Sequence, residues 1–249
     1  MLEERGLATV VIALVLPHVE KTRPPRALMT PFMLGRPLGE PNDAAFQTRV
    51  LMQALNLLTR TDGPVLLEHF GEDNPSWFDR PGWQAAPVLP AELTATLPPA
   101  SSSSDARSHS DASSWEAAFR AELTLVVPAW ERFKARFGRT TVGLAGQGVA
   151  DWPAFATSFL SGSLPTVAAH ETPALSLRFL VDDIKALYGE AAQADGAAPS
   201  ARQIDTWFWK TTVAARLLLA LRAVAMDSPN NALKTVGGRF FVPVPYLTS

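Results

Sequence analysis

Apolar positions switch between two periods along this chain. Residues 9–16 (TVVIALVL) form a β-branched apolar run without alternation, which predicts a strand covered on both faces, as in a parallel sheet. Residues 17–25 are charge-rich and close on Pro24-Pro25, which biases the backbone toward extended conformations and cannot continue that strand. Residues 26–32 (RALMTPF) predict a second strand, with Pro31 at its end or on an edge. A loop follows at Gly35–Gly39. Asn42 or Asp43 can then cap a helix reaching about Arg60, on which Phe46, Val50, Leu51, Ala54, Leu55 and Leu58 recur at helical spacing. Residues 64–67 (PVLL) read as a short third strand. This order predicts an α/β unit over residues 1–70: a short parallel sheet with flanking helices, resembling half of a Rossmann fold.

Between Gly71 and Ser114 the composition shifts to prolines, mixed polar residues and the run Ser101–Ser104, which predicts a mobile linker. Trp77, Phe78 and Trp83 are expected to tack its start onto the folded core. Residues 115–249 predict a mainly helical region packing on the sheet. Ser113-x-x-Glu116 is a capping-box pattern ahead of Phe119, Leu123, Val126, Val127, Trp130 and Phe133, and Pro128 should kink or end that helix. Residues 139–144 read as a short strand entering the glycine-rich loop Gly143–Gly148. Asp151 can cap a helix to Leu160. Thr172-Pro173 opens another helix, carrying Phe179, Leu180, Ile184, Leu187 and Tyr188. A second capping box, Ser200-x-x-Gln203, opens one long helix through Leu221, and a short helix after Pro229 precedes an extended tail over residues 240–246.

Composition narrows the function. The 249 residues are 47% hydrophobic and carry 22 Lys+Arg against 24 Asp+Glu, for a net charge of −2. A near-neutral chain has no basic footprint for nucleic acid. With no cysteine, disulfides, thiolate metal sites and cysteine nucleophiles are absent from this chain. The longest apolar run, Leu7–Leu16, is too short to cross a bilayer core of about 30 Å, and its flanks do not fit a secretory signal. The expected setting is cytoplasmic, with no membrane, metal or cofactor.

Among titratable residues, His18, His69, His109 and His170 stand far apart, without the spacing of a helical metal pair. His18 follows the first strand with Glu20 two residues on, and strand carboxyl ends face the ligand crevice in open α/β sheets. A crevice role for His18 competes with that of a capped surface histidine, which carries more weight. Arg23, Arg26 and Arg36 cluster around two proline-rich turns. Their guanidinium forks suit a carboxylate or phosphate; ion pairing with Glu20 and Asp43 is the plainer alternative. The Gly143–Gly148 loop lacks the lysine and hydroxyl of a P-loop and reads better as a turn. Asp182, Asp183 and Lys185 share a helix with Glu190, where a solvated face outweighs metal or acid–base work. Trp207, Phe208 and Trp209 can bury against a neighbour, inside the chain or on a partner. Ser158, Ser161 and Ser163 form no nucleophile elbow.

Three N-terminal segments carry a resemblance: residues 4–10 (ERGLATV), 23–28 (RPPRAL) and 37–41 (PLGEP). In this order they resemble the selenoprotein B family of glycine, sarcosine, betaine and D-proline reductases, over about residues 3–60. Residues 138–143, 183–188 and 207–211 are similar to later portions of bacterial members of that wider family. The resemblance implies reductive cleavage of a carbon–nitrogen bond in an amino acid or betaine by a selenocysteine or cysteine. In that family the redox residue lies just before the helix leading into the first strand. The chain begins at about that point and contains neither residue type, so no redox position carries over. Two explanations stand beside each other. The redox segment is lost, leaving a non-catalytic subunit that works with a partner, or a coding start placed after a selenocysteine codon omits it. An opening strand without a preceding helix leaves a sheet face without cover and favours a missing N-terminal segment; the alternative is a genuine short protein that pairs its open edge with a partner. The leading expectation is a reductase only if missing N-terminal residues or a partner supply the nucleophile, with His18, Glu20, Arg23, Arg26 and Arg36 holding a small carboxylate substrate. The alternative is a non-catalytic binding or assembly subunit of a redox complex, joined to a partner or to copies of itself through the open sheet edge.

Overall fold

A computed structural model of the chain describes residues 2–32, 35–39, 41–63, 65–72, 79–95, 97, 109–196 and 199–247, the side chains of 109–111 set aside. It divides into two compact units, Met1–Trp77 and Phe78–Ser249.

The first unit is the expected α/β unit. A 3-10 turn at Glu3–Arg5 leads into β1 (Val11–Ala13), α1 (Leu16–Thr22), β2 (Arg26–Met29), α2 (Ala44–Asn56), a 3-10 turn at Leu57–Thr59, and β3 (Leu66–His69). The sheet order is β1-β2-β3 and both pairs are parallel, with Ile12 beside Leu28 and Leu28 beside Glu68. Each strand is shorter than, or shifted from, its predicted span. β1 stops at Ala13 because Val15 already caps α1, and Pro17 sits in the first turn of that helix, where a missing N–H leaves no hydrogen bond unmade. The charge-rich segment read as a break thus holds a helix, closed by Arg23 in a left-handed conformation (φ 47°). β2 ends before the fully buried Thr30, whose N–H and hydroxyl both donate to the Ala13 carbonyl, at 2.8 and 3.3 Å. Asp43 caps α2 by accepting from the Phe46 N–H.

Alternation along the strands splits the core of this unit. Leu28, Phe32, Phe46, Val50, Ala54, Leu57 and Phe70 pack on the α2 face. Ala13, Val19 and Ala27 pack on the α1 face. Phe32, Phe46 and Phe70 meet in a tilted triad with ring centroids 5.5, 5.8 and 5.7 Å apart, each pair contributing about 1 kcal/mol beyond burial. Both crossovers advance in the same direction across the sheet, yet α1 and α2 cover opposite faces. One connection is therefore left-handed, against the usual preference.

The second unit is helical: α3 (Glu92–Ala95), α4 (His109–Phe137), α5 (Trp152–Leu160), α6 (Pro173–Ala192), α7 (Ala201–Thr211), α8 (Val213–Asp227) and α9 (Asn231–Val236). Its core gathers Trp115, Phe119 and Trp130 of α4, Trp152 and Phe159 of α5, Leu180, Ile184, Leu187 and Tyr188 of α6, and Leu217 and Leu221 of α8. The span read as a linker is partly structured. Ala85 is buried, and Ala86, Leu89, Leu93 and Leu97 pack on this core; Trp77 and Phe78 lie outside the described residues. α4 starts before Ser113, so the capping-box pattern there falls inside the helix, and the helix continues through Pro128 to Phe137. Asp151 precedes α5 without a side-chain cap bond. Thr172 and Ser200 cap α6 and α7 as expected. The long helix expected through Leu221 breaks at Thr212. The expected extended tail instead contains a π turn, Gly237–Phe241, and a 3-10 turn, Val244–Tyr246.

Candidate functional site

In the first unit the parallel topology sorts the five candidate residues between two edges. His18, in the first turn of α1, and Arg36, in the loop after β2, follow strand carboxyl ends. His18 is exposed and Arg36 half-buried. Arg23 and Arg26 lie at the amino end of β2, and Glu20 is exposed on α1. The four residues of β2 span about 10 Å, so a small carboxylate cannot be held by all five. The Arg26 guanidinium is also engaged. It donates to both Glu3 carboxylate oxygens, at 3.0 and 3.2 Å, and to the Arg60 carbonyl at 3.3 Å. Glu3 in turn accepts from the N–H and hydroxyl of Thr9, and these bonds with Arg26 lower its pKa. Arg26 therefore anchors the N-terminal turn to the amino edge of the sheet. It pairs with Glu3 rather than with the Glu20 or Asp43 considered as partners. At the carboxyl edge the structure adds His69, the exposed last residue of β3 beside Met29. The signal for His69 was its position at the end of an apolar run.

In the second unit the acidic residues of α6 divide by burial. Asp182 pairs with Arg178 and lies 3.5 Å from Lys185. Asp183 is buried and accepts from the backbone N–H groups of Gly143, Leu144 and Ala145, at 2.8 to 3.1 Å. Glu190, two turns on, accepts from the Trp130 indole at 2.8 Å and from both Thr140 and Thr141. The glycine-rich loop does form a concave set of amides of the kind that binds anions, and a carboxylate of the chain fills it. These bonds replace the strand expected over residues 139–144. Among the described residues no three His, Cys, Asp or Glu side chains come together to hold a metal ion.

A third arrangement lies where residues 79–89 run along α7. Asp79 accepts from the Ser200 hydroxyl and the Arg202 guanidinium. The Arg80 N–H donates to the Gln203 side chain, which donates back to the Arg80 carbonyl, both at 2.9 Å. Between the two segments opens a groove of about 690 Å³, walled by Trp83, Pro87, Val88, Leu89 and Trp207 and ending at Lys210 and Thr211. Its volume falls within the range of small-molecule sites. Trp207 is half-buried in this wall, while Phe208 and Trp209 turn into the core. Sequence reading missed the groove because half of it comes from a segment taken for a linker.

No family model, curated protein or solved structure matches the chain. Among the described residues no helix is long and apolar enough to cross a membrane.

Proposed function

We propose that the chain is a non-catalytic binding and assembly subunit, working in the cytoplasm within a redox complex of the selenoprotein B type, whose α/β unit docks on a second copy of itself and on a partner protein. One observation carries the assembly role. The small first unit leaves Val11 and Val15, beside the outer edge of β1, and Leu51, Met52 and Leu55, on the outer side of α2, exposed. A helix apolar on both sides usually has something on each. The redox setting rests on the sequence resemblance alone. The absence of cysteine supports a role without its own thiol nucleophile.

Light scattering on the purified chain tests the docking surface. The expected result is a mass above 26.9 kDa that rises with concentration, and a return to the monomer in the double variant Leu51→Glu, Leu55→Glu with an unchanged circular dichroism spectrum. A chain that stays monomeric at high concentration and retains no protein from its native host would sink the proposal. The competing reductase reading requires a nucleophile from elsewhere. An intact native mass well above 26.9 kDa, with a cysteine or selenocysteine codon upstream of Met1, would favour it instead.

A further inference from the structure

We propose that the groove between residues 79–89 and α7 binds an amphipathic organic anion: a flat apolar or aromatic body carrying one carboxylate. The inference is independent of the assembly role. Its first support is chemical. Most of the wall is apolar, and two indoles, Trp83 and Trp207, offer flat surfaces to a ring. Its second support is an unmet donor. The Trp83 indole N–H is buried and has no hydrogen-bond partner, and a buried donor left unmade is costly. A ligand oxygen would satisfy it.

Its third support is charge. Of the lining cations, Arg202 is paired with Asp79, whereas Lys210 is exposed and has no ion pair among the described residues. Gln203 is committed to Arg80 and to its own capping box, and the Thr211 hydroxyl to the Trp207 carbonyl. Beside the exposed side chains of Gln84 and Thr206, the groove thus offers one buried N–H donor without a partner and one ammonium without an ion pair, both of which seek an acceptor. A single uncompensated positive charge matches a carboxylate monoanion better than a phosphate dianion. It also disfavours cationic ligands.

The test uses the full chain and three probes of nearly one shape: 2-naphthoate, 2-naphthalenemethanol and 2-naphthylmethylammonium, titrated by calorimetry and tryptophan fluorescence. Saturable one-to-one binding of naphthoate is expected, about tenfold tighter than the alcohol, with the ammonium probe weakest. Lys210→Gln should weaken naphthoate about 5- to 20-fold and leave the alcohol unchanged, while Lys210→Arg retains binding. Trp83→Phe, which keeps the ring and removes the donor, should weaken naphthoate and the alcohol, the latter also being an acceptor. Because Lys210 is exposed, its variants should melt with the parent chain. Equal affinity for the three probes, indifference to Lys210→Gln, or no saturation below millimolar concentration would each overturn the proposal.

Discussion

Glu122 is fully buried on α4. It accepts from the Tyr188 hydroxyl at 2.6 Å and from the first two amides of α8, Val213 at 2.6 Å and Ala214 at 2.9 Å. Burial pushes its carboxyl above the usual 4.5, although the three hydrogen bonds pull the other way. A carboxyl raised in the folded state holds its proton there to higher pH than in the unfolded chain. Its contribution to stability therefore falls as pH rises upward from 4.5 through the folded value. Exposed carboxylates paired with arginine, such as Glu72 with Arg49 and Asp195 with Arg132, are lowered instead. Their stabilisation is present above the unfolded value and is lost on acidification below it. Glu122→Gln should cost about 1–3 kcal/mol at neutral pH, because Gln offers one oxygen where the carboxylate offers two. Urea titrations at several pH values should show the advantage of the parent chain over the variant shrinking as pH rises above 4.5; a constant difference would contradict the buried-carboxyl account.

At the scale of elements, termini explain most departures from the sequence pattern. Thr212 shows this. Its side chain is buried, its hydroxyl donates to the Phe208 carbonyl at 2.8 Å and accepts from the Ala215 N–H at 3.0 Å, and it ends α7 as it starts α8. Helical periodicity runs unbroken from Ser200 to Leu221, so the pattern alone merges two helices. The same pattern could not anticipate that Glu122 caps the second helix from another element. Thr212→Ala should destabilise the second unit by about 1–2 kcal/mol and Thr212→Ser by much less, measured by chemical unfolding. Pro17 is the opposite case. It opens the segment expected to break the first strand, and it stands where a helix can begin. The parallel strands were legible because their apolar runs do not alternate. The loop at residues 139–146 was not, because its backbone partners are carboxylates about 40 residues away on α6. The candidate arginines were legible by type but not by edge, since strand direction decides which end of the sheet each one meets.

For the molecule as a whole, two units with separate cores predict separable stability. Phe46 is 1% exposed and sits at the centre of the aromatic triad under α2. Phe46→Ala should remove about 3–5 kcal/mol from the first unit and leave the melting of the second in place, giving two resolved transitions in calorimetry. A single transition that shifts as one would show the two units to be a cooperative whole.

The sheet carries a further consequence for the order of folding. β2 is reached from β1 through residues 14–25 and left for β3 through residues 30–65. The second excursion is about three times longer, so its closure costs about 1 kcal/mol more in chain entropy. Loop closure therefore favours β1 and β2 as the early pair, with β3 zipping on once α2 has condensed against Leu28. By the same difference β3, and His69 with it, is the strand whose departure recovers the most freedom when the unit opens.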